Sequence, residues 1–190
     1  MSAQSRLFRS AASFLRDRRG VSAIEFCILA PVILVLYCGM SELSSALMTA
    51  QRNSHSASAL GDLAGQYQTL QLTDVQNIFN ASTQIMQPFT STPLKLRLTS
   101  VTLQTGNKAM VDWDVSGTAQ AVTKGSSNVA FTGTLPTGLL VNTGDSIIVS
   151  EADYTYTSPV SYNLLPIAPF KNIFYLRPRY GTTIACTTCT

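Results

Sequence analysis

Hydrophobic positions change their period three times along the chain. Residues 21–40 read VSAIEFCILAPVILVLYCGM, twenty residues with a single carboxylate, Glu25. At about 1.5 Å per residue a helix of this length spans roughly 30 Å, the hydrocarbon thickness of a bilayer. Beyond Met40, small and apolar side chains recur at Leu43, Leu47, Ala50, Ser54, Ala57, Gly61 and Ala64, widened by Ala46, Leu60 and Tyr67. This three-and-four spacing predicts that the helix continues to about Tyr67 as an amphipathic rod of roughly 70 Å in all. Glu42, Gln51, Arg52, Asp62 and Gln66 take its other sides. Thr73-Asp74-Val75-Gln76 has the form of a capping box and predicts a second helix to about Met86, ended by Pro88.

From Leu94 the period becomes two. Leu94, Leu96 and Leu98 alternate with Lys95, Arg97 and Thr99, and Thr105-Gly106-Asn107 turns the chain into 108–116. There Ala109, Val111, Trp113 and Val115 are expected on one buried face, which leaves Asp112 and Asp114 side by side facing solvent. A Gly/Ser/Thr-rich stretch at 125–144 holds an expected turn of helix at 136–140, and strands are expected again at 145–157 and 173–180. Each element offers one apolar face. The expected fold is therefore α+β: a long N-terminal helix, half transmembrane, packed on an antiparallel β-sheet.

Charge sharpens this picture. Arg6, Arg9, Arg16, Arg18 and Arg19 stand against Asp17 alone, so the first twenty residues carry a net +4, while the rest holds eight basic and nine acidic side chains. A body without basic surplus excludes a nucleic-acid binder. Arginines immediately before the apolar run predict a cytoplasmic N-terminus and export of everything after about residue 40. A cleaved secretory signal is the other reading. Its apolar core would be shorter, about 7–15 residues, and the nearest good small-x-small site here, Ala57-Ser58-Ala59, lies far downstream. Glu25 needs its own explanation, because a charge at the centre of a membrane helix costs about 2.5–3.5 kcal/mol. It lies about 6 Å in from Val21, so it is either a shallow acid at headgroup level or a functional group with a partner.

The string RRGVSAIEF, residues 18–26, resembles a type IV prepilin processing site: a basic leader ending in Gly, then an apolar helix with Glu fifth and an aromatic sixth. The chain further resembles the TadE-like subgroup, minor pilin-like proteins of the tight-adherence (Flp) pilus system. That likeness rests on RRGVSAIEF with APVILVL, on LTSVTLQ and VDWDVSG, on SEADYTYTSP, and on FYLRPRYGTTIAC. The resemblance implies cleavage by a prepilin peptidase between Gly20 and Val21, with Glu25 and Phe26 serving assembly. The carboxylate of Glu25 would pair with the freed amine of a neighbouring subunit. It implies a pilin-like fold divided into a leader (1–20), a transmembrane helix (21–40), a periplasmic helix extension (41–70) and an α+β periplasmic head (71–190). The partners implied are the inner membrane, the peptidase, other pilin-like subunits and the assembly machinery of a surface pilus used in adhesion.

Enzymatic chemistry finds little support in the residues. There is one histidine, His55, expected as an exposed bystander on the stem. No Gly-x-Ser-x-Gly, P-loop or His-Glu-x-x-His pattern occurs. Cys186-Thr187-Thr188-Cys189 has the spacing of a redox or zinc half-site, but zinc would want two further ligands. In a periplasmic head a small disulfide between Cys186 and Cys189 is expected, with two free thiols as the alternative. Cys27 and Cys38 are expected to pack as small hydrophobes in lipid. No metal and no cofactor are expected. The main reading is a non-enzymatic pilin-like assembly protein; the second is an unprocessed single-pass membrane protein whose head binds a ligand or partner.

Overall fold

The computed structural model describes residues 20–158 and 169–189. The arginine-rich leader expected at 1–20 lies outside the described residues except for Gly20. The chain divides into two compact units at Leu43/Ser44. A long helix, α1 (Val21–Gly65), runs through both sequence ranges. It is long and apolar enough to cross a membrane, and none of its most apolar stretch is buried by protein. Pro31 lies inside it.

The second unit is built on residues 44–65 of α1. It adds β1 (Thr69–Leu70), α2 (Leu72–Gln84), β2 (Leu94–Gln104), β3 (Lys108–Gly117), β4 (Val122–Lys124) and β5 (Val129–Ala130). β6 (Ser146–Tyr154), β7 (Phe170–Leu176) and β8 (Ala185–Cys186) complete it. The main sheet runs β4-β3-β2-β6-β7 with β5 also on β3, and every pair in it is antiparallel. β1 and β8 form a separate parallel pair. The α+β expectation holds: a long apolar N-terminal helix and an antiparallel sheet.

One sheet face packs on the helices. Leu94, Leu96 and Leu98 of β2, Ile148, Ala152 and Tyr154 of β6, and Trp113 and Val115 of β3 join Ala57, Leu60 and Ala64 of α1. Val75, Ile78 and Phe79 of α2 close the same core. The expected stripe is buried at Ala46, Ala57, Leu60, Gly61 and Ala64, while Leu47 is exposed and the polar Thr49, Asn53 and Ser56 are buried beside it. Thr49 Oγ1 donates back to Ser45 O at 2.8 Å, whereas Asn53 and Ser56 bond outward from the helix. Asn53 Nδ2 donates to the carbonyls of Ala152 (3.1 Å) and Phe170 (3.0 Å), and Ser56 Oγ donates to Ser82 O at 2.9 Å. From the sheet, Ser150 Oγ donates to Ala57 O at 2.9 Å. Gly61 lies so close that a Cβ there would meet Leu176 Cδ1 and come within 2.7 Å of Ser150 Oγ.

Local details differ from the sequence pattern where tertiary contacts intervene. α2 starts at Leu72, because the capping pair is Gln71 and Asp74: Gln71 N–H donates to Asp74 Oδ2 at 2.9 Å. Thr188 Oγ1, from the far end of the chain, accepts from Leu72 N–H at 2.7 Å. The segment 136–140 is a turn rather than a helix. Most consequential is a β-bulge. Ser100 faces Trp113 but Val101 faces Val111, so Asp112 is an extra residue on β3. The bulge puts Val111 and Ala109 on the sheet face opposite to Trp113 and Val115. Asp112 and Asp114 therefore part company: Asp112 Oδ2 accepts from Ser100 and Thr102, and Asp114 accepts from Arg97 and Thr99 on the other face.

That second face carries its own small core, Val101, Ile147 and Val149 under Phe131, Leu135, Leu139 and Leu140. Its covering loop is tied down by Tyr175 Oη to Thr134 O (2.6 Å) and Arg177 Nη2 to Leu139 O (2.7 Å). Asp145 Oδ2 closes the loop's end by accepting from Val141 N (3.0 Å) and Asn142 N (2.9 Å).

Two outcomes follow from this packing. Gly61→Val should overpack the helix–sheet contact at a cost of about 1–3 kcal/mol, read as a fall of several degrees in the thermal midpoint of the detergent-solubilised chain. The Asn142 and Val141 hydrogen bonds, first, hold the Asp145 carboxyl below the usual carboxylate range. A depressed folded-state value stabilises above the unfolded pKa of about 3.9 and loses that effect as pH falls through the folded value. Protection of the Val141 and Asn142 amides relative to their intrinsic exchange rates should therefore fall on acidification below about pH 4, and Asp145→Asn should abolish that pH dependence.

Candidate functional site

The assembly residues expected from sequence lie at the start of α1. Gly20 is exposed immediately before the helix, and among the described residues, its chain neighbour aside, no atom lies within 4 Å of where a Cβ would stand. Val21 is the first residue of α1, and Glu25 follows one helical turn later, exposed, beside Phe26, which is 68% exposed. Around them Ile24, Ile28 and Leu29 are exposed as well. A helix whose apolar side chains point outward on every side has its solvent or its partners still to come. Cys27 and Cys38 are free thiols on the same helix. The geometry thus leaves Glu25 as a single carboxylate on an otherwise apolar, accessible helix surface.

The second polar concentration is on the outer face of the main sheet. Arg97 on β2 forks onto Asp114 of β3, Nε to Oδ1 and Nη2 to Oδ2, both 2.9 Å, and Thr99 Oγ1 adds a bond to Oδ1 at 2.7 Å. The hydrogen bonds to Asp114 raise the Arg97 pKa against the cost of burial, with the charges of Asp114 and Glu151 helping. Gly125 sits against this carboxylate: its N–H donates to Asp114 O at 2.7 Å, and a Cβ would run into the Asp114 side chain. Beside it Lys171 Nζ lies 3.4 Å from Glu151 Oε2. A cleft of about 440 Å³ opens over Lys95, Arg97, Ser116, Asp153 and Lys171. Arg97 is half exposed, so solvent screening holds the net value of its pair to about 1 kcal/mol or less. Removing Arg97 would do more harm, because it strands the buried Asp114. Asp114 and Glu151 each face a cation. The arrangement is a cross-strand ladder of charges.

The tail forms a third cluster. Cys186 and Cys189 are both buried, joined as a disulfide, with Cα atoms 5.4 Å apart. The residues around them reach back to the helices. Arg179 N–H donates to Gly65 O (3.0 Å) at the end of α1, and Thr187 N–H donates to Leu70 O (3.2 Å). Arg179 also pairs with Asp62. Trp113 Nε1 donates to Ile184 O at 2.7 Å in the core. His55 is exposed on α1. Among the described residues no group of three or more His, Cys, Asp or Glu side chains is placed to hold a metal ion.

Sequence reading missed the Arg97–Asp114 fork and the tail strap. The first is hidden by the bulge, which no spacing rule announces. The second had one visible signal, the apolar Ile184 followed by two cysteines in a polar stretch.

Comparison with known proteins bears on the first cluster. No curated protein and no solved structure matches the chain. The family described as TadE-like protein matches residues 20–59, a stretch that starts at the glycine before α1 and includes Glu25 and Phe26. That family is associated with tight-adherence pilus systems and is structural rather than catalytic. From Gly20 to Ala59 this chain is similar to that family, in line with the resemblance seen in its sequence.

Proposed function

We propose that this is a non-enzymatic, pilin-like component of a tight-adherence pilus system, inserted by α1 and processed by a prepilin peptidase after Gly20. The observation that carries the reading is the register of the family match. It begins at Gly20, one residue before the helix starts, and takes in the lone carboxylate Glu25 on an exposed apolar surface. Glycine suits a scissile position, since it presents no side chain and leaves the backbone free. Cleavage would remove the cationic anchor and leave the α-amine of Val21 in an apolar setting. Glu25 of one subunit and the freed amine of another are then complementary. A buried charge left single is costly and a paired one far less so, so the pair sets the stagger between helices.

The arginine bias supports a bacterial inner-membrane protein with residues 1–20 in the cytoplasm and the head in the periplasm. An oxidising compartment suits the Cys186–Cys189 bond. The partners are the peptidase, other pilin-like subunits and the assembly machinery. The role is structural, in building a pilus for adhesion.

The full chain expressed with a prepilin peptidase should yield mature protein that begins at Val21 and is lighter by about twenty residues. Material that still begins at Met1 would leave an anchored head binding a ligand or partner. Glu25→Ala should remain in the membrane fraction but lose about 3 kcal/mol of pairing, roughly a hundredfold in association. Co-purification with other pilin-like subunits and the number of pili per cell both report it. Unchanged piliation would count against the pairing role.

A further inference from the structure

We propose that the cleft framed by Ser45, Pro88, Phe89, Thr90, Tyr154 and Tyr156 seats in the interfacial layer of the bilayer that holds α1. The cleft measures about 260 Å³ and lies wholly within the second unit. Its lining contains rings and hydroxyls and no acid, lysine or arginine. Tyr154 is buried, its hydroxyl donates to Thr90 O at 2.9 Å, and Tyr156 and Phe89 are half buried. Pro88 and Thr90 are exposed. Side chains with an apolar body and a polar tip are the ones that favour the headgroup boundary.

Among the described residues none covers the apolar stem next to the cleft. Leu47 and Met48, two and three residues beyond Ser45, are 57% and 48% exposed. In water that surface has no use. In the interfacial layer it is buried.

Covalent reach selects the occupant. Ser45 stands five residues after Met40, the end of the apolar run. Even a fully extended chain of that length covers only about 18 Å, and a helical one, as found in α1, rises about 7–8 Å. The headgroup layer on each side of the hydrocarbon is about 5–8 Å thick. Continued as helix, one wall of the cleft begins at the outer edge of that layer whenever residues 21–40 span the membrane. The inference rests on that spanning helix and on neither leader cleavage nor filament formation.

The test uses the full chain in phosphatidylcholine–phosphatidylglycerol vesicles, with and without lipid brominated near the top of its acyl chains. Trp113, the natural tryptophan, is buried in the core and provides the baseline. Phe89→Trp should lose about half of its added fluorescence to brominated lipid, as an interfacial ring does. Thr90→Trp, at an exposed position, gives the same readout if Phe89→Trp fails to fold. Tyr37→Trp, inside the span, is the control. Quenching at position 37 with none at 89 or 90 overturns the docking and keeps the membrane helix. No quenching at any of the three overturns both.

Discussion

The head depends on how closely residues 44–65 of α1 approach the sheet. That approach is set by Gly61, flanked by Ala57 and Ala64, against Ser150 and Leu176. Where the side chains are smallest the two backbones come near enough for Ser150 to bond the helix carbonyl of Ala57. Toward the start of the unit the contact changes character. Asn53 and Ser56 replace apolar packing with hydrogen bonds to β6, β7 and α2. Buried polar residues of this kind specify one alignment of helix and sheet, because any shift strands a donor. Arg52 adds to this by donating to Ile85 O at 2.9 Å, just past the end of α2.

Much of this architecture was legible in the residues, because it follows from periodicity. Twenty apolar positions with one acid define the membrane-length segment. The alternation from Leu94 defines β2, and Gly106 and Asn107, both with positive φ, make the hairpin turn that the pattern required. What could not be read depends on contacts far apart in sequence. Asn53 looks like a solvent residue until the carbonyls of Ala152 and Phe170 are placed beside it. Asp112 and Asp114 look like a pair until one extra residue in β3 turns them to opposite faces. α2 begins two residues before Thr73 would begin it, since Asp74 caps at Gln71 and a distant hydroxyl, Thr188, also satisfies Leu72.

The candidate assembly site is legible for the opposite reason. Among the described residues Gly20, Val21, Glu25 and Phe26 are all exposed, so their meaning is carried by residue type and spacing. A carboxylate on a bare apolar helix is unfinished as a single chain. The charged ladder on the sheet is finished, with Arg97 on Asp114 and Lys171 on Glu151. This contrast separates the two polar clusters: the ladder is paired within the fold, and the helix acid is exposed on an apolar surface.

The strap made by residues 179–189 has a temporal consequence. Ile184, Cys186 and Cys189 are core residues that sit with Ala64, Leu70 and Val75, more than a hundred positions earlier in the chain. During synthesis the stem and the first strands emerge long before the pieces that seal their end. The nascent head must therefore wait, with Trp113 lacking its Ile184 acceptor, until the strap has been made and threaded back. Closure at such sequence distance is slow relative to local pairing, so the unsealed interval is when this polypeptide is most exposed to proteases and to misassociation.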